Sequence, residues 1–324
     1  MSSGSMDKLR AFFQASKGQF VQKNELLALM EGNEESLLKS LKEFQKSGYL
    51  FEQEEGKLRL LAEPDYDIAR NFSTSLMTEH IGQNAIFYQE VSSTQDVAKQ
   101  LVSLGAVEGT LVVSDRQTKG RGRMERNWHS PGGKGIWASL IIRPRLPLEQ
   151  APQFTLLTAV AICQAIEKIA DVQMEIKWPN DLLFNGKKIC GILTEMINRQ
   201  YEIDAIVIGF GVNINHEASD FPPDLVDKAT SLSLITKKHW DRGHLLRAIC
   251  EQFEKLYKIY VQSGFAPIKI LWESYATSIG KRITARTVAG TFEGEAIGID
   301  PQGVLLLKLD DGKVKHIYSA DISI

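Results

Sequence analysis

From Asp115 to Trp128 the chain reads Asp-Arg-Gln-Thr-Lys-Gly-Arg-Gly-Arg-Met-Glu-Arg-Asn-Trp, with five cations (Arg116, Lys119, Arg121, Arg123, Arg126) and two glycines set against Asp115 and Glu125. Such a stretch is suited to binding an anion. Gly120 and Gly122 let the backbone turn and approach a ligand closely. Arg121 and Arg123 alternate with them, and each guanidinium offers a planar fork of donors to a carboxylate or phosphate. A second stretch, Ile176-Lys177-Trp178-Pro179-Asn180-Asp181, ends a strand in Trp-Pro and sets a polar pair where a pocket edge can use it. Lys188 follows at the head of the apolar run Ile189-Cys190-Gly191-Ile192-Leu193; taken alone, a lysine there is an ordinary solvated one.

An arginine-glycine tract of the disordered, RNA-binding kind has the same composition as the first stretch. Its flanks favour a ligand loop. Thr110 to Ser114 and Ile136 to Arg143 are rich in β-branched and apolar residues and predict buried strands on either side. A basic glycine loop held between core strands is placed to bind.

The 324 residues exceed one typical domain, and 38 basic against 40 acidic side chains favour no class of partner by charge alone. Cys163, Cys190 and Cys250 are odd in number, widely spaced and set among apolar residues, which predicts reduced thiols and a cytoplasmic protein. With no Cys-x-x-Cys pair and no ligand spacing among six histidines, no structural metal is expected. Polar residues interrupt Phe154 to Ala170, which predicts a buried helix and no membrane span. Met1 to Ser5 reads as a cloning scar, with Met6 as the native start.

Residues 7 to 61 predict three short helices and a hairpin. The inward positions are Leu9, Phe12 and Phe13, then Leu26, Leu27 and Met30, then Leu37, Leu38, Leu41 and Phe44, with Gly48 closing the third helix. Tyr49 to Glu52 and Lys57 to Leu61 pair around Glu54, Glu55 and Gly56. This is the plan of a winged helix-turn-helix, whose third helix enters the DNA major groove. Nine basic and nine acidic side chains, with Glu34 and Glu35 opening the third helix, fit a protein-contacting helical domain equally well.

Ala62 to Thr78 marks a boundary, and a central α/β domain follows to about Phe265. Its opening strand, Ala85 to Val91, leads to Ser93-Thr94-Gln95-Asp96 and a helix over Val97 to Leu104, capped by Ser93 or Thr94; the same helix start can hydrogen-bond a ligand. Asn185-Gly186 predicts a tight hairpin, and Ile203 to Ile208 a strand ending in Gly209-Phe210-Gly211-Val212-Asn213. Neither that glycine pair nor Gly132-Gly133-Lys134-Gly135 completes a dinucleotide or Walker motif. Asp241 to Ser263 predicts a helix. Ile283 to Val288, Thr291 to Ile299, Val304 to Leu309 and Val314 to Tyr318 then predict a small antiparallel barrel of the SH3-like kind.

In order and spacing, Gly120-Arg121-Gly122-Arg123 with Trp128, Lys177-Trp178-Pro179-Asn180-Asp181 and Lys188-Ile-Cys-Gly191-Ile-Leu resemble biotin protein ligase. The full layout is similar to the bifunctional form that is also the biotin operon repressor. The resemblance covers residues 7 to 324 and implies an α+β protein: a winged helix-turn-helix over 6–62, a linker over 63–78, a mixed α/β ligase domain over 79–270 and an SH3-like barrel over 271–324.

It implies that biotin and Mg-ATP give biotinoyl-5′-adenylate, whose acyl group passes to a lysine of a biotin carboxyl carrier domain. By motif, Ser93, Thr94, Gln95 and Gln117 would bind the biotin ring and its neighbourhood. Arg121, Gly122 and Arg123 would close over the acyl phosphate, Lys188 would neutralise its oxygens, and Gly191 and Gly209 would leave room for the ligand. Trp128 would shield the adenine side, with Lys177, Asn180, Asp181 and Asn213 around the nucleotide; Asp181 could also orient or deprotonate the acceptor amine. Operator contacts would fall to Ser36, Lys39, Lys42 and Lys46, and the family suggests a homodimer. A ligand-sensing regulator without ligase activity and a lipoate or octanoate ligase remain as alternatives.

Overall fold

The computed structural model describes residues 8–9, 11–13, 15–16, 18–30, 34–46, 50–62, 68–73, 75–144, 146–199 and 202–323. These fall into two compact units divided between Tyr66 and Asp67.

In the N-terminal unit, β1 (Phe20–Gln22), the helices Lys23–Leu29 and Glu34–Lys46, β2 (Leu50–Glu54) and β3 (Lys57–Ala62) follow helical residues 8–9 and 11–13. The sheet runs β1-β3-β2, antiparallel throughout, and a two-residue turn at Glu55-Gly56 joins its last two strands. Leu9, Phe13, Leu26, Leu37, Leu41 and Phe44 close on Leu58 and Leu60 as one core. Leu38 does not join them and is 47% exposed. One residue past Leu37, it is carried about 100° around the helix, while 37, 41 and 44 keep one face. Glu34 is tied to Lys23 at 2.5 Å. Met1 to Ser5, read above as a scar, and Met6, Asn33, Gly48, Tyr49 and the side chain of Lys46 lie outside the described residues.

The second unit is built on a seven-stranded sheet of order β4-β5-β6-β10-β9-β8-β7. Its strands are β4 (Ala85–Val91), β5 (Leu111–Gln117), β6 (Gly135–Ile142), β7 (Glu175–Lys177), β8 (Asp181–Phe184), β9 (Lys187–Arg199) and β10 (Glu202–Asn213). Only the β4–β5 pair is parallel. Alternation sorts side chains to two faces. Val112, Ile141, Ala205 and Val207 meet the helix Thr94–Ser103, whereas Leu111, Val113, Leu140, Ile206 and Ile208 meet the helices Pro152–Ala170 and Arg242–Ser263. Cys163, Cys190 and Cys250 are buried and unpaired.

Several boundaries differ from those read in the sequence. The helix over 94–103 starts three residues early, because Gln117 Oε1 accepts the Thr94 N–H at 2.8 Å; Ser93 holds the cap position without a side-chain cap bond. β10 runs on through Gly209-Phe210-Gly211, so those glycines sit inside the sheet. Ile68–Ser73, inside the stretch read as a linker, is a helix with Ile68 and Phe72 buried in the main core. Ala266–Tyr275 is another helix, crossing residue 270 and burying Ile268 and Trp272 in that core. Both segments are short, and packing rather than local pattern shapes them.

The C-terminal sheet has order β14-β13-β12-β11-β15, all antiparallel, with β11 (Arg282–Thr287), β12 (Gly290–Ile299), β13 (Leu305–Lys308), β14 (Val314–Ile317) and β15 (Asp321–Ser323). The last strand was not expected: its three residues are too few to show a period, and pairing with Thr284, Ala285 and Arg286 defines it.

Candidate active site

The loop between β5 and β6 folds into a tight hairpin over the sheet. Gly122 N–H donates to Arg126 O at 2.7 Å and Trp128 N–H to Gly120 O at 2.9 Å. Met124 and Glu125 take left-handed φ of 53° and 58° at the tip. The hairpin bends its arginines outward in two directions. Arg123 donates to Asn180 Oδ1 at 2.9 Å and to Ser319 Oγ at 2.7 Å, and Arg126 pairs with Asp321 of β15. Arg121 turns back to Asp96, 2.5 Å away. Burial lowers the pKa of Arg123, opposed by the charges of Asp181 and Asp321.

Under this hairpin is a cavity of about 460 Å³. Ser93, Thr94, Gln95, Gln117, Arg121, Gly122, Arg123, Trp128, Asn180, Asp181, Lys188, Gly191, Gly209 and Asn213 all line it. Lys177 is not among the lining residues; its backbone pairs with Asp181 at the β7–β8 turn. The DNA-contact candidates Lys39 and Lys42 are exposed, and Ser36 is half-buried, on the helix Glu34–Lys46 of the other unit.

Around the start of the helix Thr94–Ser103 the polar groups form a closed network. Thr94 Oγ1 meets Ser139 Oγ at 2.9 Å, Ser139 donates to Gln95 Oε1 at 2.9 Å, and Gln95 Nε2 donates to Val207 O at 3.0 Å. Gln117 Nε2 donates to Ser130 Oγ at 2.9 Å. Such a network fixes each donor and acceptor in direction. A Cβ at Gly209 would lie 2.5 Å from Gln95 Oε1, so the glycine admits that amide to the sheet surface.

The Trp178-Pro179 peptide is cis and lies in the turn between β7 and β8; Asn180 and Asp181, which follow it, line the cavity. Lys188 Nζ lies 2.7 Å from Asp181 Oδ1 and 5.2 Å from the centre of the Trp128 ring. The ammonium is thus held between a carboxylate and an aromatic face. Residues 228–230 run beside it: Lys188 N–H donates to Lys228 O at 2.7 Å, and Thr230 N–H to Lys188 O at 2.9 Å.

The sequence reading missed Ser139, Phe221, Leu225, Lys228, Ala229 and Asp321, which also line the cavity. Residues 218–229 carry no helical or strand period, so their place over Lys188 depends on long-range pairing. Phe221 is backed by buried His216, whose ring stacks on it at 4.9 Å and meets Trp137 edge-on at 5.9 Å. Trp137 in turn meets Trp128 at 6.4 Å. Burial pushes His216 down to about 3, with Asp220 opposing, so it stays neutral within this aromatic train.

Cationic side chains, a neutral polar recess and an aromatic wall therefore share one cavity. No group of three or more His, Cys, Asp or Glu side chains suited to a metal occurs among the described residues.

The sequence matches the profile of the Biotin/lipoate A/B protein ligase family over residues 87–213 and that of the biotin protein ligase C-terminal domain over residues 278–324. It is 46% identical over 319 residues to the bifunctional ligase/repressor BirA of Bacillus subtilis, covering 98% of each chain. The biotin–[acetyl-CoA-carboxylase] ligase of Paracoccus denitrificans is 32% identical over 62% of this chain and 85% of its own. Among solved structures, the biotin protein ligase of Aquifex aeolicus in complex with biotin and ATP superposes with a TM-score of 0.65 at 32% identity, over 74% of this chain and 98% of that one. With identity of that degree along nearly its whole length, this chain belongs to the biotin protein ligase family and is similar throughout to its bifunctional ligase/repressor members.

Proposed function

We propose that the protein attaches biotin to a lysine of a biotin carboxyl carrier protein in two steps. A carboxylate oxygen of biotin attacks the α-phosphorus of Mg-ATP and pyrophosphate leaves, giving biotinoyl-5′-adenylate. The acceptor amine then attacks the acyl carbon, AMP leaves and the amine loses its proton. The observation that carries this reading is that Lys188, Arg121 and Arg123 line one cavity with the Thr94–Gln95–Ser139 recess and Trp128.

Each part has a physical task. Joining two anions requires fixed cations to offset their repulsion and the charge developing at phosphorus, which is the role of Lys188 with the loop arginines. Ser93, Thr94, Gln95 and Gln117 offer directed donors and acceptors to the ureido ring of biotin. Trp128, Asn213, Phe221 and Ala229 suit a purine. The hairpin over 120–128 excludes water from a mixed anhydride that water would destroy. An acceptor lysine with a reference pKa near 10.4 is neutral in only roughly 1 of 2,500 molecules at pH 7, and Asp181 is the group we assign to orient it. Exchange of pyrophosphate into ATP that depends on biotin tests the first step.

The N-terminal unit, over 6–62, is proposed as a winged helix-turn-helix that binds the biotin operator, and the C-terminal sheet as an SH3-like barrel, with the ligase domain between them taking in the helices Ile68–Ser73 and Ala266–Tyr275. Similarity to the bifunctional relative along nearly the full length supports this reading. Glu34, which would repel phosphate, is engaged by Lys23, while Lys39 and Lys42 are exposed on the same helix. A homodimer in the cytoplasm belongs to the same proposal. Gel shifts on the chain's own biotin operon test it: tighter binding with biotin and Mg-ATP is expected, and binding indifferent to both would remove the coupled repressor.

A further inference from the structure

Arg123 and Arg126 reach the C-terminal sheet, but Arg121 is held by the helix and sheet that line the cavity. Its Nη2 lies 2.5 Å from Asp96 Oδ1 and 3.7 Å from Glu195 Oε2. Glu195 stands on β9 two residues beyond Leu193, a cavity residue, and Lys99 Nζ holds its other oxygen at 2.5 Å. Asp96 and Lys99 are three apart on the helix Thr94–Ser103 and share a face. Two cations and two carboxylates thus form a neutral quartet beside Thr94 and Gln95. One atom in it is unsatisfied: Glu195 Oε2 is buried and has no hydrogen-bond partner among the described residues. At 3.7 Å the approach of Arg121 is an ion pair without a hydrogen bond. A buried carboxylate oxygen in that state costs free energy until a donor reaches it, and Arg121 is the donor placed to do so.

We propose that Asp96 and Glu195 are positioning residues for Arg121. Asp96 holds the guanidinium at the rim before substrates arrive, and Glu195 takes it up as the hairpin settles over the acyl phosphate. The proposal deepens the ligase reading and rests on it. Lys99 opposes this transfer, because its charge on Oε1 already offsets that of Glu195 and weakens the pull of the carboxylate on Arg121. With one edge of its fork fixed on a carboxylate, the guanidinium presents the other to the anion in a set direction. A mere tie between helix and β9 would make Lys99 and Glu195 equal partners, so that losing either has one result. The positioning role gives them opposite results.

The test uses the full chain. Biotin-dependent pyrophosphate exchange is first measured on the unaltered protein; its absence would remove the ligase reading and this inference with it. Glu195→Gln and Lys99→Met are then compared by retention of labelled adenylate after a chase with unlabelled biotin, by KM and kcat of exchange, and by melting temperature. Glu195→Gln is expected to release adenylate about tenfold faster, as loss of one charge-assisted contact predicts, and to raise the KM for biotin more than it lowers kcat. Lys99→Met is expected to retain adenylate longer than the unaltered protein. Equal acceleration in both variants, or unchanged retention in Glu195→Gln, overturns the proposal. If Glu195→Gln fails to fold, Glu195→Asp carries the same comparison, since it keeps the charge and withdraws the oxygen by one methylene.

Discussion

Gly191 on β9 and Gly211 on β10 face each other in register, and the Trp128 indole lies across both. A Cβ at Gly191 would stand 2.9 Å from the indole edge, and one at Gly211 would overlap the ring. The pair is a floor cut to the thickness of an aromatic side chain. Gly211→Ala is therefore expected to lift Trp128 from the sheet at a cost of about 1–3 kcal/mol. The KM for ATP in exchange assays should rise about tenfold or more, with a shift in tryptophan fluorescence; an unchanged KM would contradict the assignment of Trp128 to the nucleotide.

Lys188 sits 2.7 Å from Asp181 and lines the cavity between the loop arginines and the 228–230 segment. Lys188→Ala should lower the rate of adenylate formation by about 100-fold or more, the scale of removing one fixed charge from a transition state. Its circular dichroism and melting temperature should stay close to those of the unaltered chain. Normal rates would remove Lys188 from the chemistry.

Arg123 joins the hairpin to Asn180 and to Ser319 in the bend between β14 and β15. Arg123→Gly cuts both ties. The adenylate should escape and label bystander lysines on an added protein such as serum albumin, as scored by streptavidin blotting. Retention equal to that of the unaltered chain would mean the hairpin is not what confines the intermediate.

Glu254 accepts the backbone N–H groups of Glu79, His80 and Ile81 at 2.7–3.0 Å, anchoring the segment that leads into β4 to the helix Arg242–Ser263. Burial raises its pKa, but those N–H groups and Lys258 outweigh it and hold the carboxyl below its ordinary 4.5. A depressed folded pKa stabilises above the unfolded value, and the benefit is lost as pH falls through the folded one. Glu254→Gln should thus destabilise the protein by about 1–3 kcal/mol near neutral pH. In urea titrations the difference should shrink below pH 4.5. A difference that does not change with pH would show that ionisation of Glu254 contributes nothing.

The parts of the site that announced themselves were those with local chemistry. Alternating Gly and Arg between two apolar runs marked the hairpin, and Trp-Pro-Asn-Asp marked a turn. Lys188 gained meaning only beside them. What stayed hidden depends on contacts far apart in sequence. Nothing near Gly191 indicates that Gly211 pairs with it, or that Trp128 comes to rest on both. His216 looks unremarkable until Phe221 and Trp137 enclose it. Leu38 shows the converse error, an apolar residue assigned inward by type when its angle on the helix points it out.

The central claim is that this cavity activates biotin as its adenylate. Pyrophosphate exchange into ATP, measured on the purified full-length chain with Mg²⁺ and either biotin, lipoate or no acid, tests it most directly. The account predicts exchange with biotin and none above background with lipoate or without acid. Folded protein that exchanges with neither acid, or with lipoate alone, would contradict it.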